Sequence, residues 1–460
     1  MNVRLRVAVL VLVALVTAGA CGTRVPHPGL DATGRTADNA AVGTSDDGSG
    51  TGDVGTGTDT GGAATGGATG SGSASGGSAS KGTGAGGSAP GASGGSTGAA
   101  AASGDPIVIG AVGTRSGIVG SALAKSFRGL NVWQRWVNSR GGLAGRPVRI
   151  VQADDGGDPG KHAAAVRRLI LEERAVAFIN VAPLTFSAGV PFLEQYKIPA
   201  IGGDSAENGW FTSPNAFPIS GQTYSRAIPL ARWVLANLPQ RKAAIYYVNE
   251  AEAPRRLGES FRDAWTERGG QVVAFTGVSL AAPDFTGEVI NARNAGADIV
   301  YLALEHAACN RFWDAARRQR FNPMWLSAAC SVESIRAAKD LTANKLWAGQ
   351  SYKLAYGPSP AQQEIKQAVD RYDPTMEEDA AFLFTWLSGK LLEAALKGKT
   401  GKLGGPEILA ALNGVRNETL GGMIPAQSWP PGPHPEGRCG NVAKFSGGEL
   451  LEPAVSDFVC

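Results

Sequence analysis

The chain has 460 residues, of which 43 are basic and 40 are acidic, so its formal net charge is only +3. This near balance argues against a nucleic acid or an anionic membrane face as the main partner. Residues 105–460 carry most of the large apolar side chains, and this length is enough for two ordinary domains.

The N-terminus has the pattern of a secretory signal peptide. Arg4 and Arg6 precede an apolar run at 7–16, and small residues then lead into Cys21. The run is shorter than the ~20 apolar residues that a membrane span needs. The small residues before Cys21 resemble the lipobox of bacterial lipoproteins, with plain secretion as the alternative. We therefore predict that residues 1–21 are a signal peptide and that Cys21 carries lipid on the outer face of the cytoplasmic membrane.

The next segment, residues 22–104, consists mainly of Gly, Ser, Ala and Thr and has almost no large apolar residue. Such a segment cannot bury enough surface to offset the entropy lost on ordering. We predict that it is a disordered tether between the lipid anchor and the folded part.

From residue 105 onward, short apolar strands alternate with segments of helical periodicity. The first block has predicted strands at 107–112, 148–151, 176–179 and 199–201, with helices at 122–138, 162–173 and 188–196. The second has predicted strands at 243–248, 272–275, 299–303 and 324–326, with helices at 224–238, 255–268, 285–294 and 310–320. This alternation predicts the α/β class, with two doubly wound parallel-sheet domains. In such sheets ligands bind beyond the carboxyl ends of the strands, so we expect a cleft between the domains.

Motifs at five places along the chain point to one family. They are the first strand at 109–113, the helix exit at 137–148, the acidic turn at 154–159, and the segments at 284–286 and 297–301. In this order they resemble the leucine/isoleucine/valine-binding type of bacterial ABC transporter substrate-binding protein, which has the type I periplasmic-binding-protein fold.

The resemblance implies two lobes, each built from two stretches of chain. The first would contain 105–221 with 352–428, and the second 222–351 with 429–460. It also implies a binding protein without a cofactor, which holds an amino acid or a related small polar solute and delivers it to a transporter permease. We expect this protein to be a monomer. A sensory or cell-wall interaction module on the same fold is the alternative.

The residues give little support to an enzyme, and an amidase-like activity is the least favoured of the possible functions. His162, His306 and His434 have no credible nucleophile motif nearby. The pair Asp154 and Asp155 could serve as general acid and base or as metal ligands, but at the end of a strand it is more typical of a turn. We predict neither catalysis nor a metal.

In the resembling family, loops after the third and fourth strands hold the polar head of the ligand. Here they bring Thr185, Asp204 and Ser205, with Ser116 in the first turn. Asp204 could accept from an ammonium group and Ser205 could donate to a carboxylate, although both could instead cap the next helix. On the opposite wall the family's aromatic residues are missing. Glu305 stands near one of their positions and is predicted to hold the ligand's amine, unless it caps the following helix.

Four cysteines lie beyond the lipid-acceptor position: Cys309, Cys330, Cys439 and Cys460. An even number in an exported protein predicts two disulfides, for which three pairings are possible. A metal site with His306 beside the first two is the alternative. The predicted fold brings Cys309 and Cys330 to the same edge of one sheet, and Cys439 and Cys460 bracket a hairpin-like stretch. We therefore predict these two pairs.

Overall fold

Two largely parallel β-sheets organise the chain, as the sequence predicts. The computed structural model describes residues 102–116, 120–179, 181, 185–202, 207–219, 221, 224–377, 379–448 and 451–460, with the backbone alone at 121–123. The proposed lipid acceptor Cys21, nearly all of the predicted tether, and the predicted site residues Asp204 and Ser205 lie outside the described residues.

The first sheet is fully parallel and has the strand order β2-β1-β3-β4-β5. Its strands are β1 (Ile107–Gly113), β2 (Val148–Asp154), β3 (Ala177–Ile179), β4 (Ala200–Gly202) and β5 (Ala216–Pro218). The helices between them are α1 (Gly120–Ser139), α2 (Pro159–Leu171), α3 (Phe186–Gln195) and α4 (Gly209–Thr212). The strand order reverses between β1 and β3, so the loops after these strands diverge and open a crevice at their carboxyl ends.

The second sheet has the order β12-β11-β10-β9-β8-β6-β7, in which only β11 and β12 run antiparallel to their neighbours. Its strands are β6 (Lys242–Val248), β7 (Gln271–Val278), β8 (Ile299–Ala303), β9 (Met324–Ser327), β10 (Leu346–Gln350), β11 (Asn441–Phe445) and β12 (Glu452–Pro453). Its helices are α5 (Tyr224–Asn237), α6 (Glu252–Glu267), α7 (Thr286–Asn294), α8 (His306–Arg318), α9 (Val332–Ala337) and α10 (Lys339–Thr342). The central strands β8 and β9 are almost completely buried, as expected for a sheet covered on both faces.

After β10 the chain returns to the first lobe and adds three helices, α11 (Pro360–Tyr372), α12 (Ala380–Leu396) and α13 (Gly405–Leu412). A half-buried polar network fixes α11 and α12 on α1. The indole nitrogen of Trp133 donates to Glu393 at 2.8 Å, and that of Trp136 donates to Glu364 at 2.9 Å. Lys390 lies between the two carboxylates, at 2.8 Å from Glu393 and 3.1 Å from Glu364. Each partly buried charge in this network therefore has an opposite partner, as burial requires.

The last passage between the lobes lies later than the sequence indicates. The sequence predicts that 429–460 belongs to the second lobe, but Trp429 donates from its indole nitrogen to the carbonyl of Pro218 at 2.8 Å. The ring of His434 lies 5.2 Å from that of Phe217, between ring centroids. Both side chains cover β5, because its apolar strand needs a partner on that face. The chain therefore leaves the first lobe only after His434.

The structure contains both predicted disulfides, Cys309–Cys330 and Cys439–Cys460. The metal alternative beside His306 is thereby removed, because a sulfur in a disulfide is not a thiolate ligand. Within the described ranges no group of three or more His, Cys, Asp or Glu side chains could hold a metal ion. No helix in the same ranges is long and apolar enough to cross a membrane.

The Cys439–Cys460 bond should carry a measurable part of the stability, because it closes a loop with a sequence separation of 21 residues. We expect the double variant Cys439→Ser/Cys460→Ser to lose about 3 kcal/mol of unfolding free energy in denaturant titrations. The control is wild-type protein in reductant, which should lose at least as much. Peptide maps without reductant should show the two pairs above. A cross-link between Cys309 and Cys439 would contradict the fold.

Candidate ligand-binding site

The carboxyl edges of the two sheets face one another. Helix α1 begins beyond the carboxyl end of β1, and the ammonium of its Lys125 lies 3.7 Å from one carboxylate oxygen of Glu377. Helix α9 begins beyond β9 in the other lobe, and the guanidinium of its Arg336 lies 4.0 Å from the second oxygen of Glu377. Glu377 therefore spans the space between the lobes. Because doubly wound sheets bind ligands beyond their carboxyl ends, this space is the candidate site.

Asp154 at the end of β2 shapes the loop that carries the predicted site residue Ser116. Its carboxylate accepts hydrogen bonds from three backbone amides: those of Arg115 at 2.8 Å, Ser116 at 3.4 Å and Gly156 at 3.1 Å. The Arg115 amide in particular lowers the pKa of Asp154 to about 2, so this carboxylate is ionised at neutral pH. Ser116 is exposed at the edge of the sheet. The ionised carboxylate of Asp154 therefore fixes the loop that carries Ser116, through hydrogen bonds from backbone amides.

Asp155 has no exposed surface and accepts four hydrogen bonds. Its Oδ1 receives the hydroxyl of Thr114 at 2.7 Å and the amide of Gly157 at 2.8 Å. Its Oδ2 lies 2.9 Å from Nδ1 of His162 and receives the hydroxyl of Thr185 at 2.8 Å. Burial alone would raise the pKa of Asp155, but these hydrogen bonds, that of His162 foremost, outweigh it and leave the pKa below its ordinary value.

This network decides what Thr185 can offer a ligand. A threonine hydroxyl has one proton, and here that proton goes to the Asp155 carboxylate. Only the oxygen lone pairs are then left for a further partner, so Thr185 can accept from an N–H group but cannot donate to a carboxylate. Thr185 is 1% exposed and stands at the N-terminus of α3. Thr185 stays a predicted ligand contact, and its hydrogen bonds restrict the role that it could take.

Asp155, His162 and Thr185 are the residue types of a nucleophilic triad, but their geometry does not form one. A relay requires the outer ring nitrogen of the histidine to reach the hydroxyl. Here Nδ1 lies 3.2 Å from the Thr185 hydroxyl, and the buried Nε2 has no hydrogen-bond partner among the described residues. Helix α3 packs directly on that ring, because a Cβ added at Gly189 would lie 3.1 Å from Nε2. The group is therefore structural.

On the second lobe, Glu305 caps α8. Its carboxylate accepts from the amides of Ala307 at 2.8 Å and Ala308 at 2.6 Å, and its side chain is 44% exposed. This is the capping role that the sequence left open. To hold a ligand's amine as well, Glu305 would use its remaining lone pairs or release these amides. The neighbouring Cys309–Cys330 bond joins the first turn of α8 to the loop after β9, and it stiffens this wall.

The carboxylate of Glu250, a second acidic residue at this edge, is also held by hydrogen bonds within its own lobe. Glu250, after β6, accepts from the hydroxyl of Ser279 at 2.5 Å and from the amide of Leu280 at 2.9 Å. The Ser279 hydroxyl is the main reason why the pKa of Glu250 lies below its ordinary value. The structure thus brings Ser116 and Thr185 to one edge and Glu305 to the facing edge. Sequence patterns gave no sign that Arg226 and Arg336 would also lie at the second edge.

Comparison with known proteins identifies the family and the fold. The family model described as periplasmic binding protein matches residues 106–448. An amino acid binding protein of Pseudomonas aeruginosa is 23% identical over 229 residues, which cover 48% of this chain and 60% of that protein. The chain therefore spans less than two thirds of this relative.

Two solved structures share the fold at low sequence identity. A branched chain amino acid ABC transporter protein from Thermus thermophilus, with bound valine, has a TM-score of 0.64 at 17% identity and covers 77% of this chain and 97% of its own. A solute binding protein from R. palustris, in complex with 4-hydroxybenzoate, has a TM-score of 0.61 at 16% identity, with the same two coverages of 77% and 97%. At these identities the likeness concerns the fold alone.

The Asp155 network predicts a specific loss of stability. We expect Asp155→Asn to lower the unfolding free energy by about 2–4 kcal/mol at pH 7, because the amide places a donor against the donors that now surround the carboxylate. The matched control is Asp158→Asn, which keeps a capping oxygen for the Lys161 amide at the start of α2 and should change stability by less than about 0.5 kcal/mol.

The pH dependence has a definite sign. The folded-state pKa of Asp155 lies below its unfolded value, so its contribution is complete above the unfolded pKa and is lost as pH falls through the folded pKa. Wild type and Asp155→Asn should therefore converge in stability as the solution is acidified. A gap between them that stays constant from pH 7 to pH 3 would mean that the carboxylate's charge has no part in holding the loops.

Proposed function

Because this chain belongs to the periplasmic binding protein family, we propose that it binds a small solute with a carboxylate, such as an amino acid, between its two lobes. The observation that carries the proposal is the pair of facing carboxyl edges joined through Glu377. Parallel sheets offer loops and helix N-termini at that edge, and these favour polar and anionic groups. The protein is a binding protein rather than an enzyme, as its relatives are.

The ligand class follows from what different family members share. Valine and 4-hydroxybenzoate, the ligands named with the two solved structures above, differ in the rest of the molecule, but both carry a carboxylate. In this chain the segment after β6 reads Glu250-Ala251-Glu252-Ala253-Pro254, with no aromatic residue to cover an apolar side chain. We therefore favour a polar amino acid or a related small acid over leucine. Ser116, Thr185, Asp204 and Ser205 are the proposed contacts of the first lobe.

Closure of the lobes is the proposed mechanism of capture. The chain passes between the lobes after β5, after β10 and before β11, and several passages restrict the motion to a hinge. A ligand that contacts both edges stabilises the closed form over the open form, because only the closed form satisfies all its contacts. The Arg336–Glu377 contact adds to closure, although an exposed ion pair at 4.0 Å contributes little by itself. The closed shape is what a transporter permease would recognise.

We propose that lipid at Cys21 holds the protein at the outer face of the membrane, with the segment 22–104 as its tether. The support is the order of basic, apolar and small residues before this cysteine. An anchored binding protein stays near the permease, which raises the effective concentration of the loaded form there.

Ligand capture is tested by a thermal-shift screen of the folded part, residues 105–460, against amino acids, their amides and small aromatic acids. We expect at least one acid to raise the melting temperature in a concentration-dependent way, because a ligand that binds only the folded state stabilises it by mass action. X-ray scattering with that acid should then give a smaller radius of gyration than the empty protein. Stabilisation without compaction would contradict hinge closure, and an entirely silent screen would contradict the proposed ligand class.

The anchor is tested in the full chain. We expect Cys21→Ser to lose incorporation of labelled fatty acid and to leave the detergent-rich phase, because the sulfur is the acceptor of the lipid. The control is Cys439→Ser/Cys460→Ser, which also removes cysteines but should keep the label. Label retained in Cys21→Ser would place the lipid elsewhere or exclude it.

A further inference from the structure

Arg226 lies at the edge of the second lobe that faces the candidate site. It is in the first turn of α5, the helix that follows the first passage between the lobes. Its backbone carbonyl lies directly against Gly349 in β10, at a distance that leaves no room for a Cβ there. Helix α5 therefore rests on the sheet at a fixed point, and Arg226 has a defined position beside the carboxyl ends of the strands.

Two hydrogen bonds to the ends of neighbouring strands help to orient the Arg226 side chain. Its Nε donates to the hydroxyl of Ser351 at 3.2 Å, and its Nη1 donates to the carbonyl of Ala328 at 3.1 Å. Ala328 directly follows β9 and Ser351 directly follows β10, so the guanidinium lies at the carboxyl edge of both strands. Ser351 is almost completely buried, and Arg226 is half-buried. A charge in such a place is screened less than one at the open surface.

The charges of this edge are distributed unevenly. Glu250 and Glu305, which follow β6 and β8, are turned to neighbouring hydroxyl and amide groups. Arg226 stands on the other side of the edge, near β9 and β10, in the first turn of the 14-residue helix α5. The backbone amide at the start of this helix, that of Tyr224, already donates to the carboxylate of Glu436 at 3.1 Å, so the guanidinium is the group that favours a further anion at that side. The first-lobe oxygen of Thr185, by contrast, is restricted to accepting hydrogen bonds.

We infer that Arg226 is the second-lobe residue that recognises the carboxylate of the ligand and selects acids over their uncharged analogues. The inference rests on the proposed function and adds to it the residue that determines charge selectivity. A guanidinium matches a carboxylate in shape and charge, and its bonds to Ser351 and Ala328 fix its plane before the ligand arrives. The ordering cost on binding is correspondingly small.

The test compares matched ligand pairs by calorimetry: L-valine with L-valinamide, 4-hydroxybenzoate with 4-hydroxybenzamide, and any acid found in the thermal-shift screen with its amide. In wild type we expect the acid of a binding pair to be favoured by roughly 10- to 100-fold. In Arg226→Gln the acid should lose most of that factor while the amide keeps its affinity within about 3-fold. Arg226→Lys should retain a part of the preference, because it keeps the charge without the planar fork.

Arg232→Gln is the matched control, because it removes the same charge from the same helix but at the Glu267 ion pair, about 9 Å further along the axis. It should keep the wild-type preference. If Arg226→Gln lowers the affinities for the acid and the amide equally, Arg226 has only a structural role. If the preference for the acid is unchanged, Arg226 does not contact the carboxylate. Both results leave the proposed function standing. An absence of any acid binding in wild type would instead overturn the proposed function and this inference together.

Discussion

A carboxylate without exposed surface must have its full set of partners, and in the first lobe this constraint falls on Asp155. Its four hydrogen bonds reach the loop after β1, the turn after β2, helix α2 and the start of α3. These are the segments that flank the crevice between β1 and β3. The positions of these described residues are therefore set from within the lobe, by a charge that no solvent reaches.

The second lobe achieves the same rigidity by covalent means. The Cys309–Cys330 bond joins the first turn of α8 to the loop after β9, while the amide of Ser331 donates to Nδ1 of His306 at 3.1 Å. Glu305 is held at the start of the same helix by two amides. The described side chains of both walls thus have fixed partners within the protein, and the proposed motion is at the hinge between the lobes. Little ordering entropy is lost when a ligand is captured by such walls.

The sequence predicts those strands and helices that show a clear pattern of apolar and polar residues within their own segment. The sequence predicts strand β8 at the residues where it is found, because the apolar run at 299–304 lies between Asp298 and Glu305. The short strand β5 and the return helix α12 were missed. The first has only three residues, and the second is apolar on nearly all sides and shows no amphipathic period. The Asp155 network joins residues that lie 7 and 30 positions apart in the chain. The sequence shows that these residue types are present, but it does not show that their side chains meet in the fold.

The charge layout also bears on how an amino acid would be held. Thr185 can only accept hydrogen bonds, and the ionised Asp155 lies directly behind it, so this part of the first lobe favours the ammonium end of a ligand. Arg226 in the second lobe favours the carboxylate end. The two ends of a zwitterion would then be satisfied by different lobes, and an open protein could satisfy only one of them. Closure and charge recognition would be one event, since each end of the ligand gains its partner only when the lobes meet.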